Sequence, residues 1–131
     1  MLKKTITYTD FNGNPRTDDL YFNLSAPELM KLEMAFPKGL QKELERIQKD
    51  SDGAALFDLF EKVIMSSYGV KSDDGRAFIK NAEVREAFKE SAAYPALFAE
   101  LAFEEGALDA FVNGIIPKDL LEKLRAKEGK Q

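Results

Sequence analysis

The chain has 131 residues with 19 basic and 23 acidic side chains, a net charge of -4 at pH 7, and no histidine, cysteine or tryptophan. That composition removes disulfides, thiolate metal sites and thiol nucleophiles, together with the commonest general base and transition-metal ligand. It also argues against nucleic acid, whose binding domains usually carry a basic face, and against a membrane span, for which an apolar run of ~18–20 residues is needed.

A length of 131 residues fits one domain. A chain of this size buries roughly 65–70% of its unfolded surface without help from metals or disulfides. The expected class is mainly α: a single domain, 1–131, of five or six helices with an N-terminal β-hairpin. Its expected parts are the hairpin over 1–24, a helical body over 25–127 and a flexible tail over 128–131.

Lys4 to Asp10 reads as a strand, because Ile6 and Tyr8 alternate with Thr5, Thr7 and Thr9. Asn12-Gly13 marks a turn, since both residues tolerate positive φ. A second strand, Asp19 to Leu24, places Leu20, Phe22 and Leu24 on one face, which leaves a rather long hairpin loop. Ser25-Ala26-Pro27-Glu28 has the form of a capping box. The helix it opens carries Leu29, Leu32 and Phe36 and breaks at Pro37-Lys38-Gly39. A polar second helix, from Leu40 to Lys49, has a narrow apolar line of Leu40, Leu44 and Ile47.

The third helix, Ala54 to Tyr68, is apolar on more than one side, as central helices are, with Gly69 as its left-handed stop. Val70 to Ile79 reads as a loop, with room for a short extended piece. Asn81 caps a fourth helix carrying Val84 and Phe88, and Tyr94-Pro95 starts a fifth. A short segment, Ala107 to Val112, ends in the turn Asn113-Gly114-Ile115-Ile116-Pro117, and a charged helix, Lys118 to Lys127, closes the chain.

Asp50-Ser51-Asp52-Gly53 and Ser72-Asp73-Asp74-Gly75 invite a calcium reading. An EF-hand loop needs acidic or amide oxygens at positions 1, 3 and 5, glycine at 6 and glutamate at 12, with positions 1 and 12 as its ends. The first segment would put Gln48 and Leu59 at those ends, and the second Val70 and Asn81. Both are better read as caps and turns, so no metal site and no cofactor are expected. The adjacent carboxylates Asp18-Asp19, Asp73-Asp74 and Glu104-Glu105 lie at expected turns, where charge is solvated, and no catalytic residue is assigned. The phenylalanines Phe57, Phe60, Phe78, Phe88, Phe98, Phe103 and Phe111 read as core.

Three regions offer partner contacts. Phe11, Asn12 and Arg16 form a hairpin tip with an aromatic beside a turn. Ile115 and Ile116 either plug the core or stand out as an anchor. Leu120 and Leu124 lie on the last helix, next to any C-terminal extension.

Several segments in order carry a resemblance. They are Tyr8-Thr9-Asp10-Phe11-Asn12-Gly13-Asn14, Leu20-Tyr21-Phe22-Asn23-Leu24-Ser25, Ser67-Tyr68-Gly69-Val70-Lys71-Ser72, Arg76-Ala77-Phe78-Ile79-Lys80, Ala92-Ala93-Tyr94 and Ala110 to Pro117. Together they resemble the tail assembly chaperones of long-tailed, siphovirus-like phages and prophages of Gram-positive bacteria. The resemblance implies a non-enzymatic protein of the host cytoplasm that is absent from the mature virion. It implies binding to the tape measure protein, which is kept soluble until tail tube subunits assemble around it. It further implies a frameshifted longer form that recruits the tail tube protein. Glu128-Gly129-Lys130 can be encoded with a slippery heptamer suited to such a slip. Self-association is compatible with the sequence without being specified by it. A rival reading of another class is a tail completion or connector protein retained in the virion, which mass spectrometry of purified particles separates from a chaperone.

Overall fold

In a computed structural model the chain is described for residues 1–117 and Glu122; Leu120, Leu124, the expected last helix and the tail over 128–131 lie outside the described residues. The described elements are β1 (Leu2–Thr9), β2 (Pro15–Phe22), α1 (Ala26–Met34), α2 (Leu40–Asp50), α3 (Gly53–Ser67), β3 (Tyr68–Lys71), β4 (Phe78–Ile79), α4 (Ala82–Glu90), α5 (Ala93–Phe103) and α6 (Ala107–Ile115). The strands form one antiparallel sheet in the order β1-β2-β3-β4. The class is therefore mixed α and β, a correction to the mainly α expectation. The missed pair, β3 and β4, flanks a stretch dominated by turn residues, and a two-residue strand has no period to read. Pairing with β2, distant in sequence, fixes it.

The described residues group into two compact units: Met1–Asn23 with Ser67–Ile115, and Leu24–Ser66 with Ile116 and Pro117. In the first unit the sheet has one covered and one open face. Leu2, Lys4, Ile6 and Tyr8 of β1 are half-buried or buried, whereas Lys3, Thr5, Thr7 and Thr9 are exposed. β1 packs on α5 and α6, and β3 on α4. Lys4 pairs with Glu100 of α5, which ties strand to helix on the covered side. At the centre sits Phe22, fully buried, with ring centroids 5.0 Å from Phe111, 5.7 Å from Tyr68 and 6.2 Å from Phe88.

The hairpin loop is shorter than expected, because β2 begins at Pro15 rather than Asp19. Asp10 N–H donates to the Asn14 carbonyl at 2.9 Å, and Gly13 N–H to the Asp10 carbonyl at 3.0 Å. That is a three-residue loop ending in a left-handed glycine, and Gly13 has φ +82°. Pro15 starts its strand opposite Thr9, where a missing N–H is tolerated.

In the second unit, Ser25 and Glu28 form the expected capping box: Ser25 N–H donates to Glu28 Oε1 at 2.9 Å, and Glu28 N–H to Ser25 Oγ at 3.4 Å. Leu29 and Leu32 of α1 are buried, as are Leu40, Leu44 and Ile47 of α2. Gly39 has no side chain to cap α2, and Glu33 Oε2 accepts the Leu40 N–H at 3.1 Å instead.

Two glycines read as stops have other roles. Gly69 has no positive φ. It lies inside β3, where a Cβ would meet the Phe78 ring at 2.7 Å. Gly114 continues α6, and a Cβ there would lie 3.0 Å from Leu2 Cδ1.

Candidate interaction surfaces

The hairpin tip is held by one carboxylate. Asp10 Oδ1 accepts the N–H groups of Asn12 and Asn14, each at 2.9 Å, and Asp10 Oδ2 accepts Arg16 Nε at 2.8 Å. The bond from Arg16, then those from the backbone, hold the Asp10 carboxyl below its ordinary range. The turn brings the three residues Phe11, Asn12 and Arg16 together and leaves Phe11 83% exposed. An apolar ring on a turn this constrained loses little conformational freedom on binding.

Because the Asp10 carboxyl is depressed in the folded chain, its ordering effect is complete above the unfolded carboxyl's value and is lost as pH falls through the lower folded one. The Asn12 and Asn14 amide resonances should therefore hold their positions down to about pH 4 and move together below it. An NMR pH titration checks this. Movement centred above that pH would mean that the carboxylate does not organise the tip.

The open face of the sheet carries a second feature. Phe78 covers Gly69, and Tyr21 pairs with Gly69 on its other side. Lys71 Nζ lies 4.1 Å from the Tyr21 ring centroid and Lys80 Nζ 5.5 Å from that of Phe78. Cations on aromatic faces leave amphipathic surface rather than a bare apolar patch.

The third feature was not read from the sequence. Met30 and Met34 of α1 are 64% and 78% exposed. They stand four residues apart, hence on one face, opposite the buried Leu29 and Leu32. The helix is apolar on both sides. The signal was present as methionine at i and i+4, yet apolar residues in a short helix are ordinarily assigned to its core. Methionine suits adaptable contact surfaces, since its side chain is flexible and polarisable.

The other expected positions divide. Ile115 is fully buried at the end of α6, so it serves the core and is not an exposed anchor; Ile116 is half-buried. The reason is that α6 runs on through Asn113 and Gly114 instead of turning there. Two phenylalanines assigned to the core are exposed, Phe57 at 63% and Phe103 at 87%. Phe103 is the last residue of α5, two positions past the buried Leu101, and so off its covered face.

The acidic segments act locally. Asp52 Oδ1 accepts the Ala55 N–H at 3.1 Å at the start of α3. Asp74 Oδ1 accepts from Arg76 N–H at 3.1 Å and from Ser72 Oγ at 2.8 Å, closing the β3–β4 turn; the bond from the Arg76 backbone, then that from Ser72, lowers the Asp74 carboxyl. Asp18 accepts the Tyr8 hydroxyl, which raises the phenol, while Asp19 accepts from Thr5 Oγ1 at 2.8 Å on the other face. No group of three or more acidic residues that could share a metal ion occurs among the described residues.

The sequence matches the family described as phage tail assembly chaperone over residues 1–131, and the chain belongs to that family. No curated protein and no solved structure matches the sequence.

Proposed function

We propose that the chain is a non-enzymatic chaperone of siphovirus-like tails in Gram-positive hosts. It binds the tape measure protein in the host cytoplasm, keeps it soluble and promotes assembly of the tail tube around it. It then leaves before the virion is complete. A longer form, made by a one-base backward slip near Glu128 to Lys130, recruits the tail tube protein.

The observation that carries this reading is the double-sided α1, with Leu29 and Leu32 buried and Met30 and Met34 exposed. A long polypeptide with an apolar stripe aggregates in water. A groove or face of adaptable apolar side chains covers such a stripe in the helix-in-groove manner. Many weakly bound copies along one chain gain by avidity, and the net charge of -4 per copy keeps the loaded assembly soluble.

The test is co-expression with the tape measure protein encoded downstream. The wild-type chain should move that protein from the pellet to the supernatant and co-purify with it. A Met30→Lys, Met34→Lys double variant should keep its circular dichroism and melting temperature yet lose the co-purification by tenfold or more. A wild-type chain that leaves the tape measure protein insoluble would end the proposal. Full co-purification by the variant would move the site away from α1.

A further inference from the structure

β1 lies at the edge of the sheet and, among the described residues, pairs with β2 alone. The closing pair Asp10–Asn14 is hydrogen-bonded, and antiparallel pairs alternate between bonded and non-bonded. The even residues Leu2, Lys4, Ile6 and Tyr8 therefore aim their backbone groups at β2. Lys3, Thr5, Thr7 and Thr9 aim theirs outward, giving four N–H and four C=O groups along one open edge.

Proteins ordinarily blunt such an edge with proline, a bulge or charge, lysine above all; here the outward Lys3 is paired with Asp19 of β2 at 3.6 Å. β1 has no proline, and its register with β2 is unbroken from Leu2 to Thr9. Its one inward-pointing charge, Lys4, is paired with Glu100. The outward side chains Lys3, Thr5, Thr7 and Thr9 are all exposed.

We propose that β1 pairs antiparallel with β1 of a second copy of this chain, about a two-fold axis at Ile6. Free backbone groups meet only in registers that oppose odd residues to odd residues. With the axis at Ile6, Thr5 faces Thr7 of the other copy and Lys3 faces Thr9, so all four outward residues engage. Moving the axis by one residue leaves Thr9 opposite Met1, outside β1, or Lys3 opposite Phe11 in the turn. No like charges face each other, because Lys4 then lies opposite Tyr8. The contact is self-complementary and uses up both edges, so it closes as a dimer and does not propagate. This inference rests on the chain alone and does not depend on the tape measure partner.

Position-specific cross-linking tests it. The chain has no cysteine, so only introduced thiols report. Bonded antiparallel partners have Cα atoms about 5.5 Å apart, within disulfide reach. Residues offset by two along paired strands are about 8 Å apart, which is beyond it. An oxidised mixture of Thr5→Cys and Thr7→Cys chains should give a covalent dimer, whereas each variant alone should stay monomeric on a non-reducing gel. Sedimentation velocity should show wild-type chain at twice 14.7 kDa. Thr7→Pro should run as monomer with an unchanged far-UV circular dichroism spectrum, since the N–H it removes points away from β2. Wild-type monomer at the highest soluble concentration would overturn the proposal. So would cross-linking that ignores position, or a Thr7→Pro dimer. An edge free in the wild-type monomer and filled only by an extended segment of another protein counts against it in the same way.

Discussion

Replacing Phe22 with alanine is expected to destabilise the first unit by about 3–5 kcal/mol, the range for emptying a large aromatic site in a core that cannot collapse. Phe22 is fully buried, and three rings from three other elements close on it: Tyr68 of β3, Phe88 of α4 and Phe111 of α6. Two of those rings are stacked on each other, Tyr68 and Phe88, with centroids 4.0 Å apart and planes 12° apart. Their positions are set by one another as well as by Phe22, so neither turns freely into the void. Domains of this size are typically stable by about 5–15 kcal/mol, which makes the loss a large share of the total. Urea denaturation followed by circular dichroism checks it, with Phe22→Leu as the milder control, expected to lose about half as much. A loss below about 1 kcal/mol would mean that the aromatic cluster is not the centre of the unit.

Gly69→Ala should cost about 1–3 kcal/mol, the usual price of overpacking, although alanine suits the extended backbone there. Its methyl carbon would lie 2.7 Å from Phe78 Cε2 and 2.9 Å from Cδ2 and Cζ. Either the ring swings off β3 or the β3–β4 pairing opens. Because the conflict is with one side chain, the two sites should be coupled. The loss in a Gly69→Ala, Phe78→Ala double variant should be smaller than the sum of the single losses. Additive losses would show that glycine serves the backbone at this position and not the ring. The Lys80–Phe78 and Lys71–Tyr21 contacts lie on the same face, so the single variant should also disturb the amphipathic surface described above.

Much of the fold was legible in short segments whose physics is local. The Ser25 capping box, the Asn81 cap, the Gly13 turn and the alternation along β1 each depend on residues within a few positions of one another. The buried line of α2 followed from helical spacing alone. The hairpin tip was found as a candidate surface because an aromatic beside Asn-Gly is unusual in sequence. The role of Asp10 in fixing it was not, since a carboxylate's reach to three donors is a matter of geometry.

Two of the errors share a cause. Gly69 and Gly114 were read as punctuation, because glycine is the residue that tolerates left-handed backbone. Both instead mark close approach: Phe78 crosses Gly69, and Leu2 crosses Gly114. Glycine's two uses, freedom of φ and absence of a Cβ, look alike in one dimension. The consequences spread from there. Reading Gly69 as a stop turned β3 and β4 into a loop, and reading Gly114 as a turn left Ile115 undecided between the core and the surface, where the structure buries it. By itself, then, the sequence determined the hairpin, the capped starts of α1 and α4 and the buried lines of β1 and α2, because these follow from spacing along the chain. Only the tertiary structure decided that the sheet has four strands, that α6 runs on to Ile115, and that Met30, Met34 and Phe103 stay in solvent. Each of those depends on what lies across from a residue, which pairing distant in sequence supplies and neighbouring residues do not.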